Sequence, residues 1–445
     1  METTRQLEAQ LNDFSPATRM QALQALIASA EPAGTPQAAV NLHCHTFFSF
    51  NAYGYSPTGL ACLARQRGFQ VLGIVDFDVL DGVEEFLSAC ELLGVRGSAG
   101  METRVFIPEF ASRETNSPGE PGVYYTMGIG FPTSAAPAAA APILTDMRQR
   151  AEARNRAMLA RINAFLAPVA VDYDRDVLPL TPAGNATERH MLVAYQQAAA
   201  RRFPDPASFW AEKLGLAPEQ VAAQIADPVK FPATLRAKLM KRGGVGYVQP
   251  GAGSFPSVEE VNRMIVACGA LPCATWLDGT SAGEQAEEEL LSLLIPKGAV
   301  ALNIVPDRNW NIADAEKRRM LVQKLYDVVV LAARLDLPLN IGTEMNAPGQ
   351  RLIDDFDAPE LAPVRQAFLD GADFVYGHTA LQRALGLGYQ SDWARARLPA
   401  RRERNAFYTQ AGRLVPPGRT GIARLKALTP DLSPAEVLDR LAHPA

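Results

Sequence analysis

No segment of the chain approaches the ~20 consecutive apolar residues that a bilayer-spanning helix requires. The first residues, METTRQLEAQLNDFSP, are polar and helix-forming rather than a basic stretch followed by an apolar one. A membrane partner is therefore not expected, and the cytoplasm is the expected location. Positive charge is not in excess either: 43 Lys and Arg stand against 48 Asp and Glu, a formal net charge of −5. Without a basic field to grip a phosphate backbone, nucleic acid is disfavoured as a partner. Cysteine is sparse. Cys44, Cys62, Cys90, Cys268 and Cys273 are scattered, odd in number and lack any Cys-x-x-Cys pair. That argues against a disulfide framework and against a thiolate zinc knuckle, and predicts buried reduced thiols. Histidine is equally sparse, five in 445 residues, so two of them one residue apart stand out.

What is present is ordinary globular material, 48% hydrophobic and 20% charged, enough for a large core with insertions or for two domains. Residues 3–30 read as a helix pair broken near Ser15-Pro16, and a Pro/Gly/Ala run over 31–39 releases the chain into a first strand. Short apolar runs then alternate with helical stretches: strands at 39–43, 71–75 and 97–104, helices at 57–66 and 82–93. This rhythm predicts parallel strands covered by helices. A polar, breaker-rich loop over 111–122 precedes another strand at 123–131 and is placed to cover a barrel mouth. From Thr133 the linker TSAAPAAAAP leads into Ala-, Arg- and Gln-rich helices that last to about Arg242. After Gly243-Gly244 the rhythm resumes, with helices at 257–268, 282–294 and 313–335, strands at 271–276, 299–305 and 338–343, and a strand-like run at 373–376. Seven or eight strands suit a single barrel with a helical insertion. The expected division is N-terminal helices and linker over 1–38, barrel over 39–132, insertion over 133–244, barrel over 245–380 and a helical tail over 381–445.

The chemistry concentrates in Val40-Asn41-Leu42-His43-Cys44-His45. Side chains two apart on a strand share a face, so His43 and His45 point together while Cys44 turns into packing. Two imidazoles at the exit of a parallel strand make half of a metal site. Glu102 ends the apolar run 97–101 and would meet them at the same mouth. Arg104 shares the Glu102 face, and Arg308 in VPDRNWN follows a strand with the same exit. Both are candidates for binding a phosphorylated or carboxylated small molecule. Asp76 and Asp78, at the end of the second strand, are candidates for a general base or for orienting a ligand. His378, after the run 373–376, is a further acid/base candidate if that run lies beside the closing strand. The glycine-rich GYVQPGAGSFPS lacks the register of a nucleotide-binding loop and reads as a turn.

The segments HCHTFFSF, GFQVLGIVDFDVLDG and GSAGMETRV, in this order and spacing, resemble the PHP (polymerase and histidinol phosphatase) superfamily of metal-dependent phosphoesterases. NIGTEMN is similar to that family's closing Gly-Ser-Asp-x-His, and PSVEEVNRMIVACGALPCATW to its helix and strand ending in Ala-His-Pro. The resemblance implies a distorted (β/α)7 barrel holding up to three divalent ions. It also makes the departures informative. Phe77 stands where the family has a metal-binding histidine, Tyr125 or a neighbour for another, Thr275 for the Ala-His-Pro histidine, Asn346 for the closing histidine and Asn51 for an early aspartate. Glu344 replaces the closing aspartate and keeps a donor. The resemblance thus implies one ion, Zn, Mn or Fe, held by His43, His45, Glu102 and Glu344, while Asn346 joins Arg104 and Arg308 as a substrate-binding candidate. One ion can still acidify water and polarise an oxygen electrophile. The expected activity is phosphoesterase-like hydrolysis at a reduced site. The alternatives are a non-catalytic anion- or partner-binding barrel and a single-metal amidohydrolase-like hydrolase of C–N or ester bonds.

Overall fold

The computed structural model describes residues 2–29 and 33–443. Its centre is a seven-stranded sheet in sequential order: β1 Gln37–Cys44, β2 Phe69–Phe77, β3 Gly97–Phe106, β4 Val123–Ile129, β5 Leu271–Trp276, β6 Ala301–Ile304 and β7 Leu339–Ile341. β1, β2 and β3 pair in parallel, as do β5, β6 and β7. Just beyond β7 the backbone of Glu344 donates to His43 O and accepts from His45 N, each at 2.7 Å, which draws the two edges together into a distorted barrel. Such closure removes the exposed edges that would otherwise invite pairing with another chain. The strands read as near-continuous apolar runs because both faces are covered.

Two expectations need correction. The barrel is not wholly parallel, since β4 runs antiparallel to both β3 and β5. The link from β3 to β4 contains only a short 3-10 turn at Pro108–Phe110, and without a crossover helix the chain must return along its own path. The run at 373–376 is not a strand but lies inside the helix Arg365–Leu385. A four-residue run, three of them apolar, does not distinguish a strand from a buried helix, and this helix is buried on most of its sides.

The reversal of β4 also explains where the insertion goes. β4 ends at the barrel floor, and the 26-residue helix Ala141–Leu166 leaves from there, rising about 39 Å at 1.5 Å per residue. Its start packs on the barrel core through Ala140 and Met147, and its end enters a second hydrophobic core reaching from Leu159 to Met240, with Tyr195, Trp210 and Phe231 inside. The insertion therefore has its own core and is carried to the strand C-termini. The tail, by contrast, joins the barrel core: Phe407, Tyr408 and Leu441 belong to it.

The tail helix Arg401–Leu414 crosses Arg365–Leu385 at glycines. A Cβ on Gly412 would sit 1.9 Å from Asp373 O, and one on Gly377 would sit 2.1 Å from Tyr408 O. Backbone cannot yield to that contact as a side-chain tip can. Gly412→Ala and Gly377→Ala are each expected to destabilise by about 1–3 kcal/mol through overpacking, despite the ~1 kcal/mol helix-propensity gain. Chemical denaturation followed by circular dichroism checks this; a raised midpoint in either variant contradicts the packing argument.

Candidate metal centre

β1 delivers His43 and His45 to the C-terminal mouth, with relative exposures of 1% and 0%. Cys44 between them is buried in the core, and all five cysteines are free. Glu102 reaches the same point from β3, whose register sets it beside Phe77 of β2. His43 Nε2 lies 3.7 Å and His45 Nε2 lies 3.4 Å from Glu102 Oε2. One ligand atom from each of the three lies within 4.8 Å of the others.

The residues present fit a divalent ion. Both ring nitrogens of His43 and Nε2 of His45 are buried without a hydrogen-bond partner. A buried polar atom left unsatisfied costs ~1–3 kcal/mol, and an ion between the two Nε2 atoms and the carboxylate compensates that cost. The donor set of two imidazoles and a carboxylate suits Zn, Mn or Fe. Burial works against protonation of His43, yet the Glu102 carboxylate, assisted by Glu344, overrides it and lifts the imidazole above its usual 6.5. Burial likewise pushes Glu102 up, and the two histidines hold it below its usual value.

The orientation of His45 is set from behind. Ser49 Oγ donates to Asp76 Oδ1 at 2.6 Å, so its oxygen is left to accept from His45 Nδ1 at 3.0 Å. A proton on Nδ1 leaves Nε2 bare, facing Glu102. Asp76 also accepts from Thr46 N at 2.9 Å and Thr46 Oγ1 at 2.7 Å. Of the two roles expected for Asp76, the geometry matches the orienter. The Phe77 ring, where a further ligand would have stood, stacks on His45 at 4.6 Å and 25° and steadies it from the other side.

Glu344 lies close by but is otherwise engaged. Its Oε1 accepts from Arg308 at 2.6 Å and its Oε2 from Gln350 at 3.0 Å. Among the described residues the grouped metal donors are His43, His45 and Glu102, without Glu344. Its backbone takes φ +68, with Met345 at +57, a left-handed pair that non-glycine residues adopt at a cost of about 1–3 kcal/mol each. Burial would raise the Glu344 carboxyl, but Arg308, then His43, bring it down to about 2. A depressed folded-state value contributes stability above the ordinary carboxylate range, and that stability is lost as pH falls from about 4.3 through about 2. Arg308→Met is therefore expected to unfold at a higher pH than the parent on acid titration. Coincident acid-unfolding curves count against this pair.

The other anticipated residues divide clearly. Arg104 and Arg308 line a cavity of about 900 Å³ that also contains His43, Glu102 and Asn346. Asn346 Oδ1 accepts from Arg189 of the insertion at 3.0 Å. Asn51 organises its own loop, donating to His45 O and accepting from Tyr53 N and Tyr55 N. Thr275 donates to Tyr125 O and accepts from Asn116.

His378 requires correction. It sits in the middle of the helix Arg365–Leu385, fully buried, with Nδ1 accepting from Tyr389 N at 3.0 Å and Nε2 facing Gly130 O at 3.2 Å. Gly130 follows β4 at the floor, the end away from the triad, and burial lowers the imidazole to about 3. Both nitrogens serve the backbone.

Sequence reading missed Ser49, Arg154, Arg189 and Phe255. A serine four residues after a motif histidine carries no distinctive signal, and arginines are common throughout the insertion. The loop 246–257 is a turn as expected, and it also lines the cavity through Tyr247, Val248 and Phe255. Asp78, with φ +58, sits in the bend after β2 and lines the cavity while accepting from Thr103 at 2.5 Å. Among the described residues no helix is long and apolar enough to cross a membrane.

No protein-family model and no curated protein matches the chain. Solved structures similar to it include an amidohydrolase from Chromobacterium violaceum with bound sulfate and no metal, at 19% identity and TM-score 0.49 over 74% of this chain and 96% of that one. They also include a protein provisionally named a metal-dependent phosphoesterase, from Bifidobacterium adolescentis, at 19% identity and TM-score 0.46 over 74% of this chain and 98% of that one.

Proposed function

We propose that the chain is a metal-dependent hydrolase of small anionic molecules, phosphoesterase-like in reaction, working with one divalent ion. The observation that carries this reading is the convergence of two bare, buried histidine nitrogens on a carboxylate. His43, His45 and Glu102 would hold the ion, with Glu344 close enough to influence them electrostatically. When bound, such an ion polarises an oxygen electrophile and makes water acidic enough to attack near neutral pH.

The chain's own residues do the rest. Asp76 and Ser49 keep the His45 lone pair aimed. Arg308 orients the reacting anionic group by charge-assisted hydrogen bonds, and Arg104 binds the substrate farther along the cavity. Asp78 faces the cavity beside Arg104 and Arg154; burial pushes its carboxyl up, against the opposing pull of Thr103, Arg154 and Arg104. The insertion and the loop 107–122 wall the cavity and exclude water, which strengthens these interactions.

The test is a panel of phosphomonoesters, phosphodiesters, carboxylic esters and amides, offered to protein loaded with Mn²⁺, Zn²⁺ or Fe²⁺, beside Glu102→Ala. Turnover of a phosphoester lost in Glu102→Ala supports the reading. Turnover confined to C–N or carboxylic ester bonds replaces it with the amidohydrolase-like one, which a single-ion donor set also favours. No turnover of any class by the ion-loaded protein leaves an anion-binding barrel.

A further inference from the structure

The cavity contains more positive charge than the triad uses. Arg104 projects from β3 and Arg154 from the inserted helix Ala141–Leu166, and each guanidinium carbon lies 4.5 Å from the centroid of the Phe255 ring. Two like charges on one ring repel, and the effect falls on Arg154. Burial first, then Arg104, pulls Arg154 down to about 10. A cation remains at neutral pH, in a place that disfavours it.

Compensation within the protein is thin. Arg104 meets Glu120 only at 3.5 Å, and Arg154 has no carboxylate partner among the described residues, its Nη1 donating to Ser254 O at 3.1 Å. A guanidinium offers five donors, so most of those on Arg154 stay free. Nearby acids are committed: Glu188 already serves both Arg236 and Lys241. The Asp78 carboxylate faces the two arginines, with Thr103 on one oxygen. Two half-buried guanidiniums on an aromatic wall of a cavity, Arg104 charge-balanced by its surroundings against burial and Arg154 short of counter-charge, form a receptor for an oxyanion.

This receptor is separate from the metal triad. Arg104 follows Glu102 by two residues on one strand face, about 7 Å along the chain. One phosphate or carboxylate, with its oxygens closely spaced, does not span both points. We propose that Arg104 and Arg154, set against Phe255, form a subsite for a phosphate or carboxylate at the non-reacting end of the substrate, so that the insertion selects small molecules with two anionic centres. The inference rests on the hydrolase reading for the identity of the ligand as substrate, but capture of the anion does not need the ion.

Calorimetric titration of chelator-stripped protein with inorganic phosphate, and separately with succinate, tests this on the parent, Arg154→Ala and Arg154→Lys. Parent-like thermal melting and Mn²⁺ uptake in the variants show that fold and triad are intact. Arg154→Ala is expected to weaken the preferred anion at least tenfold, with Arg154→Lys between, and the stronger of the two anions names the group. In turnover, the KM of a bis-anionic substrate is expected to rise with kcat little changed. Equal anion affinity in parent and Arg154→Ala overturns the subsite and leaves the metal reading standing. Arg154-dependent anion binding in a protein that takes up no divalent ion upholds the subsite and overturns the metal reading.

Discussion

Titration of metal-free protein with Mn²⁺, Zn²⁺ or Fe²⁺ is expected to saturate at one ion per chain, and to add about 2.7 kcal/mol of stability at an ion concentration 100-fold above Kd. The reason is local. Two Nε2 atoms and a carboxylate oxygen are buried within a few ångströms of one another, and among the described residues neither nitrogen makes a hydrogen bond. His45→Ala and Glu102→Gln are each expected to abolish the stabilisation, because two remaining donors compete poorly with water. The pH dependence has a definite sign. His43 is raised above 6.5 in the ion-free fold, so its contact with Glu102 adds stability below pH 6.5 that is lost as pH climbs through the raised value. Ion uptake requires the neutral ring and therefore strengthens over the same interval. Metal content by mass spectrometry and melting with and without ion test this together. Equal uptake by parent and Glu102→Gln would show that the ion sits elsewhere.

Asp76→Ala is expected to be the most disruptive single change behind the triad. It strips the acceptor from Thr46 N, Thr46 Oγ1 and Ser49 Oγ, all in the interior. At ~1–3 kcal/mol for each buried donor left unsatisfied, the loss is several kcal/mol, comparable with the whole stability of many domains. Asp76→Asn keeps one acceptor oxygen and roughly the same volume, so it is expected to fold. Its defect should lie in the ion: with the Ser49 link weakened, His45 is freer to turn or to change tautomer, and affinity is expected to fall about 10–100-fold. Denaturation of the alanine variant and ion titration of the asparagine variant separate the two effects. Undiminished affinity in Asp76→Asn would mean that Phe77 and packing alone orient His45.

Much of this centre was legible in the chain because it depends on local periodicity. His43 and His45 fall on one face since a strand alternates every residue, whatever surrounds it. Glu102 could be placed with them because it ends an apolar run, and parallel strands end at one mouth. The scarcity of histidine and the absence of a thiolate pair narrowed the donor set further. Helices and strands over 57–106 and 257–341 followed from the same alternation, with ends shifted by a few residues.

What tertiary structure alone decided concerns partners distant in sequence. The run around Tyr376 became a helix because packing on Arg401–Leu414 and β7, rather than its short apolar run, sets its conformation, and His378 was taken to the floor with it. Glu344 is adjacent to the triad, yet Arg308, 36 residues away, and Gln350 occupy its oxygens. Asp76 came to lie behind His45 only when Ser49 and Thr46 folded against it. The antiparallel turn of β4, invisible in an apolar pattern that lacks direction, launches the insertion toward the mouth. Strand alternation in the sequence thus determined which side chains meet at the candidate metal centre. Long-range packing and charge pairing, which no local pattern encodes, decided which of them keep atoms free for a ligand.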